Sequence, residues 1–213
     1  MSEEVELRAA WTSAVGHDAR ALAALDDVVG RHRESQRRYH GVRHVVWVVR
    51  HVHELAAEVP VRDLGAVIAA AFFHDAVYRP GASDNEQQSA ALAERVLAEL
   101  GWDANRCQAV GALVRATERH EPDDDPDRSV LIDADLAVLG SEPAAYQAYV
   151  TGVRAEHPGV DDGAWRQGRS EVLRRLLDRR PLYTTEPARR RWEARARANV
   201  AAELATLDVR FGD

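Results

Sequence analysis

Two histidines and two aspartates, His44, His74, Asp75 and Asp135, stand in stretches of this chain that are otherwise apolar. Ionised carboxylates are almost never fully buried unless paired or bound to metal. Asp135, within Val130-Leu131-Ile132-Asp133-Ala134-Asp135-Leu136-Ala137-Val138-Leu139, therefore calls for a cationic partner. A divalent ion would serve. Neighbours such as His74 and Asp75 diverge by about 100° on a helix, so both reach one ion only if it sits off the helix end between them. Two imidazoles with two carboxylates suit an open, roughly octahedral site for Mn2+, Fe2+, Co2+, Ni2+ or Mg2+, with water in the remaining positions. Such an ion would acidify a bound water toward a pKa of about 7 and polarise an oxygen of a bound substrate, with Asp75 placed to orient or deprotonate the water.

Each residue alone has a plainer explanation. His44 reads as a hydrogen-bonded core histidine, the doublet as a helix cap with Asp75 accepting from backbone amides, and Asp135 as the partner of one of 28 arginines. The metal reading rests on all of them occurring together. Asp133 stays open as a rival to Asp135, since the two differ by about 200° in direction on a helix and cannot easily serve one ion equally.

Helical periodicity must position these groups, and no stretch shows sustained strand-like alternation, so the expected fold is all-α, a single helical bundle of about eight to ten helices over residues 1–213. Between Arg43 and Val59 the residues Val45, Trp47, Val48, Val49, Val52, Leu55, Ala56 and Val59 fall on one arc; His44 and His51 lie within it, and Arg43, Arg50, His53 and Glu54 lie opposite. A second helix, about Arg62 to His74, is apolar almost all round and delivers His74-Asp75 at its end. After a loop broken by Pro80-Gly81, Ser83 and Glu86 read as a capping box for a helix Asp84 to Leu100 that Gly101 terminates. Further helices are expected at about Ala104–Arg119, Ser129–Leu139, Pro143–Glu156, Gly163–Arg179 and Pro187–Leu207, those from about 143 onward packing on the core.

The formal charge of −7 argues against a nucleic-acid partner, which would favour a positive field. All 28 basic residues are arginine, a compositional bias that weakens the meaning of any one, and the run Arg189, Arg190, Arg191, Arg195 and Arg197 reads as a solvated helix face. One cysteine, Cys107, excludes an internal disulfide framework, and the Met1–Glu6 start lacks the basic and apolar parts of a secretory signal, so a cytoplasmic location is expected. The longest apolar run, Gly65 to Phe73, is half of the roughly twenty residues needed to span a bilayer.

In chain order, His44, His74-Asp75 and Asp135 in an all-helical setting resemble the HD superfamily of metal-dependent phosphohydrolases. Four strings carry the resemblance to a bacterial branch of it: Tyr39-His40-Gly41-Val42-Arg43-His44, Phe72-Phe73-His74-Asp75-Ala76-Val77-Tyr78, Ser83-Asp84-Asn85-Glu86-Gln87-Gln88-Ser89 and Leu131-Ile132-Asp133-Ala134-Asp135-Leu136-Ala137-Val138-Leu139-Gly140. It extends to Leu182-Tyr183-Thr184 and Trp192-Glu193. The resemblance implies one divalent ion held by His44, His74, Asp75 and Asp135, the second acid of the Asp-x-Asp string aligning with the ligand. It implies a small phosphorylated substrate of nucleotide type. Glu86 becomes a candidate proton-transfer acid, although the capping box also explains it. His40, Arg43 and Arg79 are candidates for substrate phosphate, and His120 for substrate or a second ion. Tyr146, Tyr149 and Tyr183 could wall a pocket, although such aromatics usually pack. Two alternatives follow from the same residues: a di-iron oxygenase of the HD fold, needing extra ligands such as His120, and a non-catalytic metal- or nucleotide-binding protein.

Overall fold

Aspartate side chains cap the N-termini of half of the helices. The side chains of Asp18, Asp63, Asp103, Asp125 and Asp161 each accept from a backbone amide of the first turn that would otherwise lack a partner. In the computed structural model, which describes residues 2–122 and 124–209, the helices are α1 (Glu3–Ala14), α2 (Ala19–Arg31), α3 (Val42–Ala56), α4 (Leu64–Phe73), α5 (Asn85–Glu99), α6 (Ala104–Ala116), α7 (Pro126–Asp135), α8 (Pro143–Ala155), α9 (Asp162–Asp178) and α10 (Glu186–Val209). No strand occurs among the described residues. The chain is all-α, with a number of helices at the upper end of the expected range.

α4 is the hub. Every residue from Ala66 to Phe73 is buried, and the helix packs against α1, α3, α5, α6 and α7. The three helices that carry the candidate ligands, α3, α4 and α7, all touch one another. α3 buries the apolar arc read from its sequence, His44 included, and leaves Arg50, His53 and Glu54 exposed; His51 and Trp47 are half-buried and stack on each other at 4.4 Å. Under α4, Trp11 of α1 is fully buried, its ring edge-on to Phe72 at 5.1 Å and its indole N–H donated to the Ala21 carbonyl at 2.9 Å. Cys107 is buried in α6, which packs along α5.

Several local expectations are corrected. α1 and α2 precede the first helix read from periodicity. The Ser83–Glu86 capping box does not form: Asp84 is the N-cap of α5 and makes no side-chain cap bond, turning instead to Arg79 at 2.8 Å and Gln88 at 3.2 Å. The helix expected over Ser129–Leu139 starts at Pro126 and stops at Asp135, where the backbone tightens into a 3-10 helix, Leu136–Gly140. Gly101 does end α5, with a left-handed φ of +85° and with the Gly101 and Trp102 amides returning to Ala98 and Leu97. At Gly140 the reason for glycine is space: an added Cβ would lie 2.4 Å from the Trp192 Cβ of α10.

The C-terminal arginines are mostly spent on internal pairs. Arg190 and Arg191 meet Glu58, Arg195 lies 2.9 Å from Glu142, and Arg197 lies 2.6 Å from Glu193. α10 packs along α9 and the 3-10 helix. Among the described residues no helix is long and apolar enough to cross a membrane.

Candidate metal centre

His44 enters on the first turn of α3, His74 caps the C-terminus of α4, Asp75 follows it, and Asp135 is the last residue of α7. Their functional atoms converge. The Nε2 atoms of His44 and His74 lie 3.0 Å apart; Asp75 Oδ2 is 3.4 Å from the first and 3.1 Å from the second. His44, His74 and Asp75 form a group whose ligand atoms all lie within 4.8 Å of one another and which can hold a metal ion. Asp135 stands at the edge of this triplet, its Oδ1 3.2 Å from His44 Nε2 and 3.7 Å from His74 Nε2.

The donor chemistry fits a cation. His74 Nδ1 lies 2.9 Å from the Ala71 carbonyl, so that nitrogen carries a proton and the neutral ring presents its Nε2 lone pair to the cluster. Two such nitrogens at 3.0 Å between two carboxylates need something positive among them. Without an ion, protons supply it: burial would lower the His74 pKa, but the Asp75 and Asp135 charges outweigh burial and push it up to about 9. Burial opposes ionisation of Asp75 and Asp135 too, and the His74 charge holds both carboxyls well below their usual range.

Asp133 is excluded from this cluster by its own bonds. Fully buried, it accepts from the amides of Thr184 at 2.9 Å and Thr185 at 2.7 Å, fastening α7 to the approach to α10. Burial raises its pKa and those two amides oppose the rise. Of the Asp-x-Asp pair, only Asp135 faces the imidazoles.

A cleft of about 160 Å3 opens onto the cluster and is lined by His74, Asp75 and Asp135 together with His40, Glu86 and His120. His120, in a left-handed backbone conformation, places Nε2 2.7 Å from Asp135 Oδ2. Glu86 is half-buried there, and burial, with the Asp75 and Glu118 charges, raises its pKa. His40 sits not on α3 but in the loop before it, and still lines the cleft. Arg43 and Arg79 do not line it: the first is 89% exposed and pairs with Glu3 at 3.1 Å, the second pairs with Asp84 at the surface. Of the three tyrosines considered, Tyr149 lines the cleft; Tyr146 bonds Glu203 at 2.5 Å and Tyr183 donates to the Leu136 carbonyl at 3.0 Å.

Two supporting residues escape a reading of the sequence. Glu156, a fully buried carboxylate at the end of α8, accepts on Oε1 from the amides of Arg38, Tyr39 and His40, and its Oε2 meets His40 Nδ1 at 2.6 Å and the Tyr78 hydroxyl at 3.0 Å. Its local signal was an acid at a helix C-terminus, the end where the helix dipole disfavours negative charge. Arg37, buried, donates to the carbonyls of His40 at 2.9 Å, Asp75 at 2.7 Å and Ala76 at 3.3 Å, joining the two loops that flank the ligands. The all-arginine composition hid it.

Comparison with protein-family models, with curated proteins and with solved structures found no match to this chain.

Proposed function

We propose that this chain is a metal-dependent phosphohydrolase that cleaves a nucleotide-like phosphate ester, with His44, His74, Asp75 and Asp135 holding one divalent ion. The observation that carries the reading is the approach of two imidazole Nε2 atoms to 3.0 Å between two carboxylates at the floor of a cleft. The resemblance of the ligand-bearing strings to HD phosphohydrolases supports the same chemistry. A divalent ion, when bound, supplies a Lewis acid for the phosphoryl group and lowers the pKa of water.

The chain's own residues orient substrate and move protons. Asp75 belongs to both cluster and cleft, so it is placed to orient the attacking water. His40 gives Nδ1 to Glu156, which leaves Nε2 for a phosphoryl or leaving-group oxygen. Glu86, freed from any capping role and with a raised pKa, is a candidate to carry a proton at the cleft wall.

Elemental analysis followed by a phosphatase screen over nucleotides with Mn2+, Co2+, Ni2+ and Mg2+ tests the proposal. About one divalent ion per chain is expected, lost in His74→Ala, with hydrolysis stopped by EDTA. Glu86→Gln should lower turnover at unchanged thermal stability. If no phosphate ester in a broad panel is hydrolysed with any of the four metals, the reading fails. The 2.7 Å contact between His120 and Asp135 favours one second reading, a di-iron oxygenase in which His120 is a further ligand. Two iron atoms per chain, without phosphatase activity, would select it.

A further inference from the structure

The cleft over the ligands is too small for the body of a nucleotide, yet it adjoins a larger space. A cavity of about 700 Å3, within the range of small-molecule sites, lies between the end of α6 and α9. It shares His120, Leu136, Leu139 and Tyr149 with the cleft, so an aromatic ring and two leucines line the passage. Its far wall carries Arg175 and Arg179.

These two arginines differ from those of α10. Arg175 is exposed and makes no hydrogen bond or ion pair among the described residues. Arg179 is half-buried and donates to two backbone carbonyls, His120 at 2.5 Å and Arg119 at 2.6 Å, with no carboxylate bonded to it. Its guanidinium has five N–H donors, so others remain for a ligand. Burial lowers the Arg179 pKa; the charge of Glu121 opposes this and the adjacent Arg175 adds to it. Of the other charged residues in the lining, Arg119 and Glu118 lie 3.8 Å apart and offset each other, and Glu121 offsets one further guanidinium. In a chain of net charge −7, three guanidiniums against two carboxylates leave this lining net positive, a local positive field.

We propose that this cavity is a second subsite, which takes the body of the substrate and holds a second phosphate on Arg175 and Arg179 while the reacting phosphate lies at the metal cluster. The preferred substrate class is then a nucleotide-like bisphosphate. The inference rests on the metal cluster as the place of the reacting phosphate, and guanidiniums suit the distal one through paired N–H donors.

Calorimetric titration of the full chain in Mn2+ with adenosine 3′,5′-bisphosphate and adenosine 5′-monophosphate tests it without requiring turnover. The bisphosphate should bind about tenfold tighter or more, the scale of a charge-assisted contact, and Arg175→Ala should abolish that preference while leaving monophosphate affinity unchanged. Equal affinity for the two probes, or a preference that survives Arg175→Ala, overturns the subsite. Turnover separates the two ideas. Preference lost in the variant, with no ester of the broad panel hydrolysed under any of the four metals, keeps the subsite and sinks the hydrolase; hydrolysis of both probes at equal kcat/KM keeps the hydrolase and sinks the subsite.

Discussion

Asp133 and Asp135 stand two residues apart, and the fold sets them to different tasks. Asp135 faces both imidazoles; Asp133 faces the amides of Thr184 and Thr185. Asp135→Asn should therefore lose metal affinity. Asp133→Asn should keep the metal and lose about 1–3 kcal/mol, because an amide cannot accept on both sides. Metal titration and urea unfolding on the two variants check this, and the reverse order of losses would return the ligand role to Asp133. Glu156 gives a pH signature. Burial works against its charge, but His40 and the loop amides hold its carboxyl down at about 2 from an ordinary 4.5. A depressed carboxyl contributes stability above the unfolded value, lost as pH falls through the folded one. The excess stability of the protein over Glu156→Gln should thus shrink between pH 4.5 and about 2, measured by urea unfolding at several pH values. The convergence of His44, His74, Asp75 and Asp135 was legible because costly groups in apolar runs advertise themselves. Glu156 was not, since its partners lie 78 to 118 residues away and its own helix reads as ordinary.

The elements were legible where the apolar stripe is wide. α3 and α4 bury seven and eight residues, and their sequences announce it. α1 buries only Leu7, Ala10 and Trp11, a stripe too thin to separate from a loop by periodicity. α2, with Ala21, Leu25, Val28 and Val29 at helical spacing, carries a readable pattern outside the ligand-bearing region. The break between α7 and its 3-10 continuation left no local signal, because it serves the approach of α10. Trp192 lies against Gly140, and a methyl group there would meet both its side chain and its backbone. Gly140→Ala should destabilise by about 1–3 kcal/mol, the usual cost of overpacking. For a chain of this size that is a fall in Tm of roughly 2–4 °C per kcal/mol. An unchanged melting curve would show that α10 can move aside.

At the scale of the molecule, the candidate ligands come from three helices that pack on one another, so an ion bound there would tie α3, α4 and α7 together. An ion present at a hundred times its Kd would add about 2.7 kcal/mol to the folded state. Removing it with EDTA should therefore lower Tm by roughly 5–10 °C, and His74→Ala should melt at the lower temperature whether or not metal is added. Equal melting of the chelated and metal-loaded protein would mean that no ion links these helices. Cys107 turns the same packing into a clock. It is the only thiol in the chain, and it lies buried in α6, which packs on α4 and α5. A thiol reagent added to the folded protein can react only when α6 moves off its neighbours, so the labelling rate counts openings of one known place. If α6 opens by peeling from α5 alone, metal will leave the rate untouched; if it opens with the ligand helices, metal will slow it.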